Sequence, residues 1–141
     1  MLTCLHLTGC SWIVPFYILN DTAQPHTVEI SISRPKSGFA IFEPRQFRIL
    51  AWKGDEPDYE NVKPIAPQQG EKMRIEIPPY SALEIGRLSN QNYEGSEQSF
   101  INGRVFNLIS VKAGKSVVTR ATFNAHFKKT SAGYVWKLPG E

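Results

Sequence analysis

Two cysteines, three histidines and a run of four acids are the residues of this 141-residue sequence whose chemistry could exceed packing. His6, His26 and His126 have no Cys, Asp or Glu at ligand spacing, so no metal site is expected. A Ser/His/Asp arrangement could assemble only through the fold, and the strand–turn–helix nucleophile pattern is missing. Asp55, Glu56, Asp58 and Glu60 could offer oxygens to calcium, which takes about six to eight of them. They lack the spacing and glycine of a calcium loop, and Pro57 interrupts them, so they read as solvated charge. The stretches Gly70–Arg74 and Lys112–Ser116 resemble phosphate-binding loops only superficially, since the second lacks the leading glycine of that motif. Asn20–Thr22 matches the glycosylation sequon, a pattern frequent by chance. The chain therefore reads as a non-enzyme without a cofactor.

Aromatic side chains offer a second kind of chemistry, contact with a ligand rather than bond making. Trp52, Tyr59, Tyr80, Tyr93 and Trp136 could form a platform on which sugars or bases stack. Of these, Trp52, Tyr80, Tyr93 and Trp136 are the candidate ligand contacts. The competing reading puts Trp52 and Trp136 into the core, where aromatic rings contribute much of the packing.

The elements that must carry these residues are strands. Val28, Ile30 and Ile32 alternate with polar neighbours, as do Met73, Ile75 and Ile77, the period-2 pattern of a half-buried strand. Ala121, Phe123, Ala125 and Phe127 alternate in the same way and predict a strand with His126 on its polar face. Shorter strands are expected at residues 16–19, 39–42, 47–52, 83–88, 106–111 and 117–120. A last one at 135–138 joins Phe127 through a hairpin in which Gly133 takes positive φ. Ile101, Val105, Leu108 and Ile109 would also suit one face of a short helix, though Gly103 weakens it. Ile30, Ile32, Ile75, Ile77, Phe123 and Phe127 should face the core. Ten prolines and ten glycines leave no long helical window. The expected fold is all-β: an antiparallel β-sandwich, immunoglobulin-like or similar, of about seven to nine strands. Lys53–Lys72 and Ser89–Gly103 read as long loops between strands.

The net charge of +3 hides an asymmetry. Residues 1–100 hold nine Lys/Arg against twelve Asp/Glu, whereas residues 101–141 hold seven against one. The basic end could attract phosphates or head groups, but its charges are spread along strands and read as a solvated face. A nucleic-acid partner is not expected. Cys4 and Cys10 both fall within the first ten residues and cannot staple the body of a domain.

Leu7-Thr8-Gly9-Cys10 resembles the lipobox of bacterial lipoproteins, and the chain resembles small uncharacterised lipoproteins of Gram-negative envelopes. The resemblance rests on four residues and their position near the start. It implies cleavage before Cys10, whose thiol takes a diacylglycerol group and whose new amino terminus usually takes a further acyl chain. Residues 1–9 then read as a truncated signal-peptide-like leader, with no Lys or Arg and with the polar His6 inside it, and 10–141 as one domain. Loss of Cys4 with the leader would leave no disulfide. Ser11 after the cysteine implies sorting to the outer membrane, facing the periplasm. The expected role is an envelope protein, anchored through Cys10, whose β domain binds another protein or is structural. A glycan-binding module is the alternative, and a soluble β protein binding an acidic partner comes last.

Overall fold

The computed structural model describes residues 12–34, 40–66, 70–89 and 97–140. Cys10, Tyr93 and the proposed leader lie outside the described residues. Among the described residues ten strands form two sheets, so the all-β sandwich expected from the alternation is the fold. The larger sheet has the order β4 (Glu56–Pro64), β3 (Arg48–Lys53), β6 (Ser81–Ser89), β1 (Ile13–Asn20), β10 (Gly133–Lys137), β9 (Lys128–Thr130). The smaller one has the order β5 (Lys72–Ile77), β2 (His26–Ile32), β7 (Leu108–Ala113), β8 (Ser116–Thr119). All neighbouring strands run antiparallel except β1 and β10, which are parallel, with Ile18 opposite Trp136.

The inner faces meet in one core that includes Phe16, Ile18, Ile30, Ile75, Leu83 and Phe123. All six residues expected to face the core are buried. Two buried asparagines tie the loops to this core. Asn107 accepts from the Phe42 N–H at 2.9 Å and donates to the carbonyls of Phe42 and Ser33. Asn20 donates to the carbonyls of Gln24, Ile77 and Pro78, and its Oδ1 accepts from Thr22. With Asn20 at 0 % exposure and its amide engaged, the sequon at Asn20–Thr22 is a structural turn with no room for a glycan.

The structure corrects several expectations. The alternation at 121–127 is not a strand: Phe123–His126 form one helical turn, α1, closed by the Phe127 N–H on the Phe123 carbonyl at 2.8 Å. Phe123 and Phe127 stand four apart, a spacing that shares a face in a helix as well as in a strand. Their rings stack at 4.5 Å, and His126 lies edge-on to Trp136 beside the helix. The segment 53–72 is not one loop, because β4 occupies Glu56–Pro64. It escapes periodicity because it is an exposed edge strand, where Pro57 and Pro64 are tolerated. Of the strand expected at 39–42, Phe39 lies outside the described residues, and Ala40–Phe42 form no strand but a single bridge, from Phe42 to Gly86. Within Ser89–Gly103, Glu97–Asn102 forms a 3₁₀ segment. Gly133 takes positive φ as expected, at 132°, but the hairpin's first strand is β9, Lys128–Thr130, and not a strand ending at Phe127.

Candidate functional site

The side chains with chemistry gather on the outer face of the larger sheet, and two irregularities of strand pairing put them there. On β6 the register jumps so that Phe16 faces Gly86 and Tyr17 faces Glu84, leaving Ile85 as the extra residue. In a regular strand residues three apart point to opposite faces. The bulge cancels that, so Glu84 and Arg87 share the outer face with Tyr17 and Pro15. On β4, Leu50 faces Val62 and Ala51 faces Asp58, so Tyr59, Glu60 and Asn61 bulge out without partners on β3.

Asp58 shapes that second bulge. Its carboxylate accepts from Asn61 Nδ2 at 2.7 Å and from the Glu60 N–H at 3.0 Å, and Lys53 lies 3.7 Å away. These donors, Asn61 first, hold its carboxyl below the ordinary value. One member of the acidic run is thus committed to building backbone. The bulge carries Tyr59 over the sheet until its hydroxyl reaches that of Tyr17 at 3.2 Å.

Glu84 is the centre of the arrangement. It is 2 % exposed, and each carboxylate oxygen accepts one guanidinium hydrogen bond. Arg48 Nε donates to Oε1 at 2.6 Å and Arg87 Nε donates to Oε2 at 2.7 Å. A carboxylate removed from water requires this much compensation, and charge-assisted bonds of this length are the strong kind. Both arginines remain about one third exposed. Burial pushes the Tyr17 hydroxyl far above its ordinary pKa, and the bond to Tyr59 and the nearby Glu84 charge add to the shift. Tyr17 is therefore a neutral phenol at any physiological pH.

A cleft of about 510 Å³ lies over these groups. Its lining runs from Tyr59 on β4 to Ser131 and Ala132 in the β9–β10 turn, with Ile13 and Pro15 of β1 at one end. On a flat sheet β4 and β10 would stand about 19 Å apart, four strand spacings. Their sharing one cleft means that the sheet curls around its outer face. Behind the polar groups a small apolar cluster of Tyr17, Leu19, Leu50 and Ala82, covered by Trp52 and Val135, keeps the floor rigid.

The four aromatic candidates do not share one surface. Trp52 is half-buried and packs edge-on against Tyr17 at 5.4 Å, so it supports the cleft floor. Trp136 points to the other face of the same sheet and is 4 % exposed in the core, which removes it as a ligand contact. Tyr80 is exposed at the β5–β6 turn with φ 51° and is held by the Thr22 carbonyl. Tyr93 lies outside the described residues, as does Cys10. Tyr59, named among the platform aromatics, does line the cleft. Tyr17, Arg48, Glu84 and Arg87 were not singled out from the sequence. The one available signal was Glu84 inside the otherwise apolar run Ala82–Ile85.

The basic residues of the last third disperse. Arg120 turns inward to the carbonyls of Ile101 and Phe106 and lies over the Phe106 ring, Lys112 faces Glu29 across β2, and Lys137 lies near Asp21. Among the described residues no helix is long and apolar enough to cross a membrane, and no three His, Cys, Asp or Glu side chains converge as a metal site. Comparison with family models, with curated proteins and with solved structures finds no match to this chain.

Proposed function

We propose that this protein is a non-catalytic binding domain of a bacterial cell envelope, anchored by lipid on Cys10, whose outer-sheet cleft holds a glycan. The observation that carries the reading is the cleft itself, a concave surface lined by fixed hydrogen-bonding groups and one exposed tyrosine ring. Sugars are recognised by such a combination, hydroxyls on planar polar side chains and a ring face against an aromatic. A protein partner would need about 800 Å² of complementary surface on this chain, and a polar cleft of about 510 Å³ suits a chain-like ligand better.

The way the groups are committed supports binding over catalysis. Both oxygens of Glu84 hold arginine donors, and Tyr17 keeps its proton. The anchor rests on Leu7-Thr8-Gly9-Cys10, which in sequence stands three residues ahead of the start of β1 at Ile13. Two or three acyl chains would hold such a domain firmly, close to an outer membrane and facing the periplasm. Immobilised bacterial polysaccharides test the binding role: retention that is lost with Tyr59→Ala supports it, and no retention on any of them contradicts it.

A further inference from the structure

We infer that the glycan of the outer-sheet cleft is an acidic one, with a sugar carboxylate seated on Arg48 and a ring lying against Tyr59. This deepens the glycan reading and rests on it. Arg48 spends only its Nε hydrogen on Glu84, and its Nη nitrogens make no hydrogen bond among the described residues. A guanidinium fixed through Nε presents the two Nη groups as a planar fork, the geometry that matches a carboxylate in bidentate fashion. The residue is held rather than mobile, so little side-chain entropy remains to be lost when a ligand arrives.

The pairing at the floor points the same way. Arg48 shares its one acidic partner, the buried Glu84, with Arg87, and the sheet beneath is apolar. A ligand carboxylate would complete an alternating row of Arg87, Glu84, Arg48 and anion. Beside it the Tyr17–Tyr59 pair shares one hydrogen bond between two hydroxyls, which leaves one O–H to donate to a ring oxygen or hydroxyl. Glu56 at the rim carries the opposite sign but is exposed, where water and salt weaken it. A neutral sugar would find the hydroxyl partner without a use for the guanidinium fork.

The test is a panel of hyaluronan, alginate and polygalacturonate, each immobilised in native and carboxyl-reduced form, with neutral β-glucan alongside. The expected result is retention of one or more native forms, weakened about tenfold or more by carboxyl reduction and by raised salt. Arg48→Lys keeps a cation beside Glu84 but removes the fork, and it should lose most of the preference for the native form while melting within a few degrees of the parent. Retention indifferent to carboxyl reduction or to Arg48→Lys overturns the acidic ligand and leaves the glycan reading standing. Retention of nothing on the panel or on further polysaccharides overturns the glycan reading as well.

Discussion

The hydroxyls of Tyr17 and Tyr59 meet at 3.2 Å although 42 residues separate them in sequence. One stands on the central strand β1 and the other on a bulge of the edge strand β4, so the contact folds the edge of the sheet over its own middle. With both phenols in place, the cleft has a floor and a wall.

Alkaline titration reports on this contact. An ordinary tyrosine ionises near pH 10, and burial holds Tyr17 well above that in the folded state. A raised folded pKa gives stability that is complete below about pH 10 and is lost as pH rises beyond it, at up to about 1.4 kcal/mol per pH unit. The advantage of the parent over Tyr17→Phe should therefore shrink above pH 10. Absorbance of the tyrosinate should show the Tyr17 step only together with unfolding, and that step should be missing in the variant.

The pairing of Glu84 predicts an asymmetry between its partners and itself. Arg48→Ala leaves a buried carboxylate with one donor and should destabilise the domain by about 1.5–3 kcal/mol, the worth of a hydrogen bond to a charged group. Glu84→Leu removes the buried charge and lets two partly exposed arginines turn to water, so its cost in chemical denaturation should be smaller than that of Arg48→Ala. The reverse order would mean that the carboxylate is not desolvated as its burial implies.

Most strands were legible because one of their faces is buried: Val28–Ile32 and Met73–Ile77 write their alternation plainly. The edge strand β4 was not, since an exposed strand with two prolines and a bulge leaves no period to read. The helix α1 was misread because Phe123 and Phe127 satisfy both periods at once. The site was the least legible part. Glu84 and Arg87 share a face only through the extra residue Ile85, and nothing local to the sequence announces a bulge. Trp136, for which ligand contact and core packing are both open in the sequence, is core, on a strand that lies beside β1 in parallel, a long-range pairing that spacing cannot show.

Two close approaches hold that pairing and the bulge. Gly133, at φ 132°, lies so near Pro15 that a Cβ would collide with the Pro15 carbonyl. A Cβ on Gly86 would meet the Ile41 carbonyl oxygen at 2.5 Å and the Phe42 ring at 2.8 Å. Alanine at Gly133 should cost at least about 1–3 kcal/mol through backbone strain alone, read as a lowered melting temperature. Phe123→Ala, at the fully buried helical turn, should cost about 3–5 kcal/mol.

The anchor predicts a change of compartment without a change of fold. In cells that carry the gene with its leader, Cys10→Ser should move the protein from the detergent-extractable membrane fraction to the soluble periplasmic one. The β domain should stay folded, because its core begins beyond Val14. Intact mass of the parent should show acyl chains on a chain beginning at Cys10. A Cys10→Ser protein that stays in the membrane would assign the anchoring to the apolar stretch that follows or to a partner.

Acidic-glycan binding in the outer-sheet cleft is tested most directly by where a ligand touches the sheet. Nuclear magnetic resonance mapping with hyaluronan oligosaccharides, or with whichever polysaccharide of the panel is retained, reads this residue by residue, including the Nε–H signals of arginine. The account predicts shifts at Arg48, Arg87, Tyr59 and the Ser131–Ala132 turn, with Arg48→Lys abolishing those at its neighbours. Shifts confined to the smaller sheet or to the Tyr80 turn, with the outer face of the larger sheet unmoved, would contradict it.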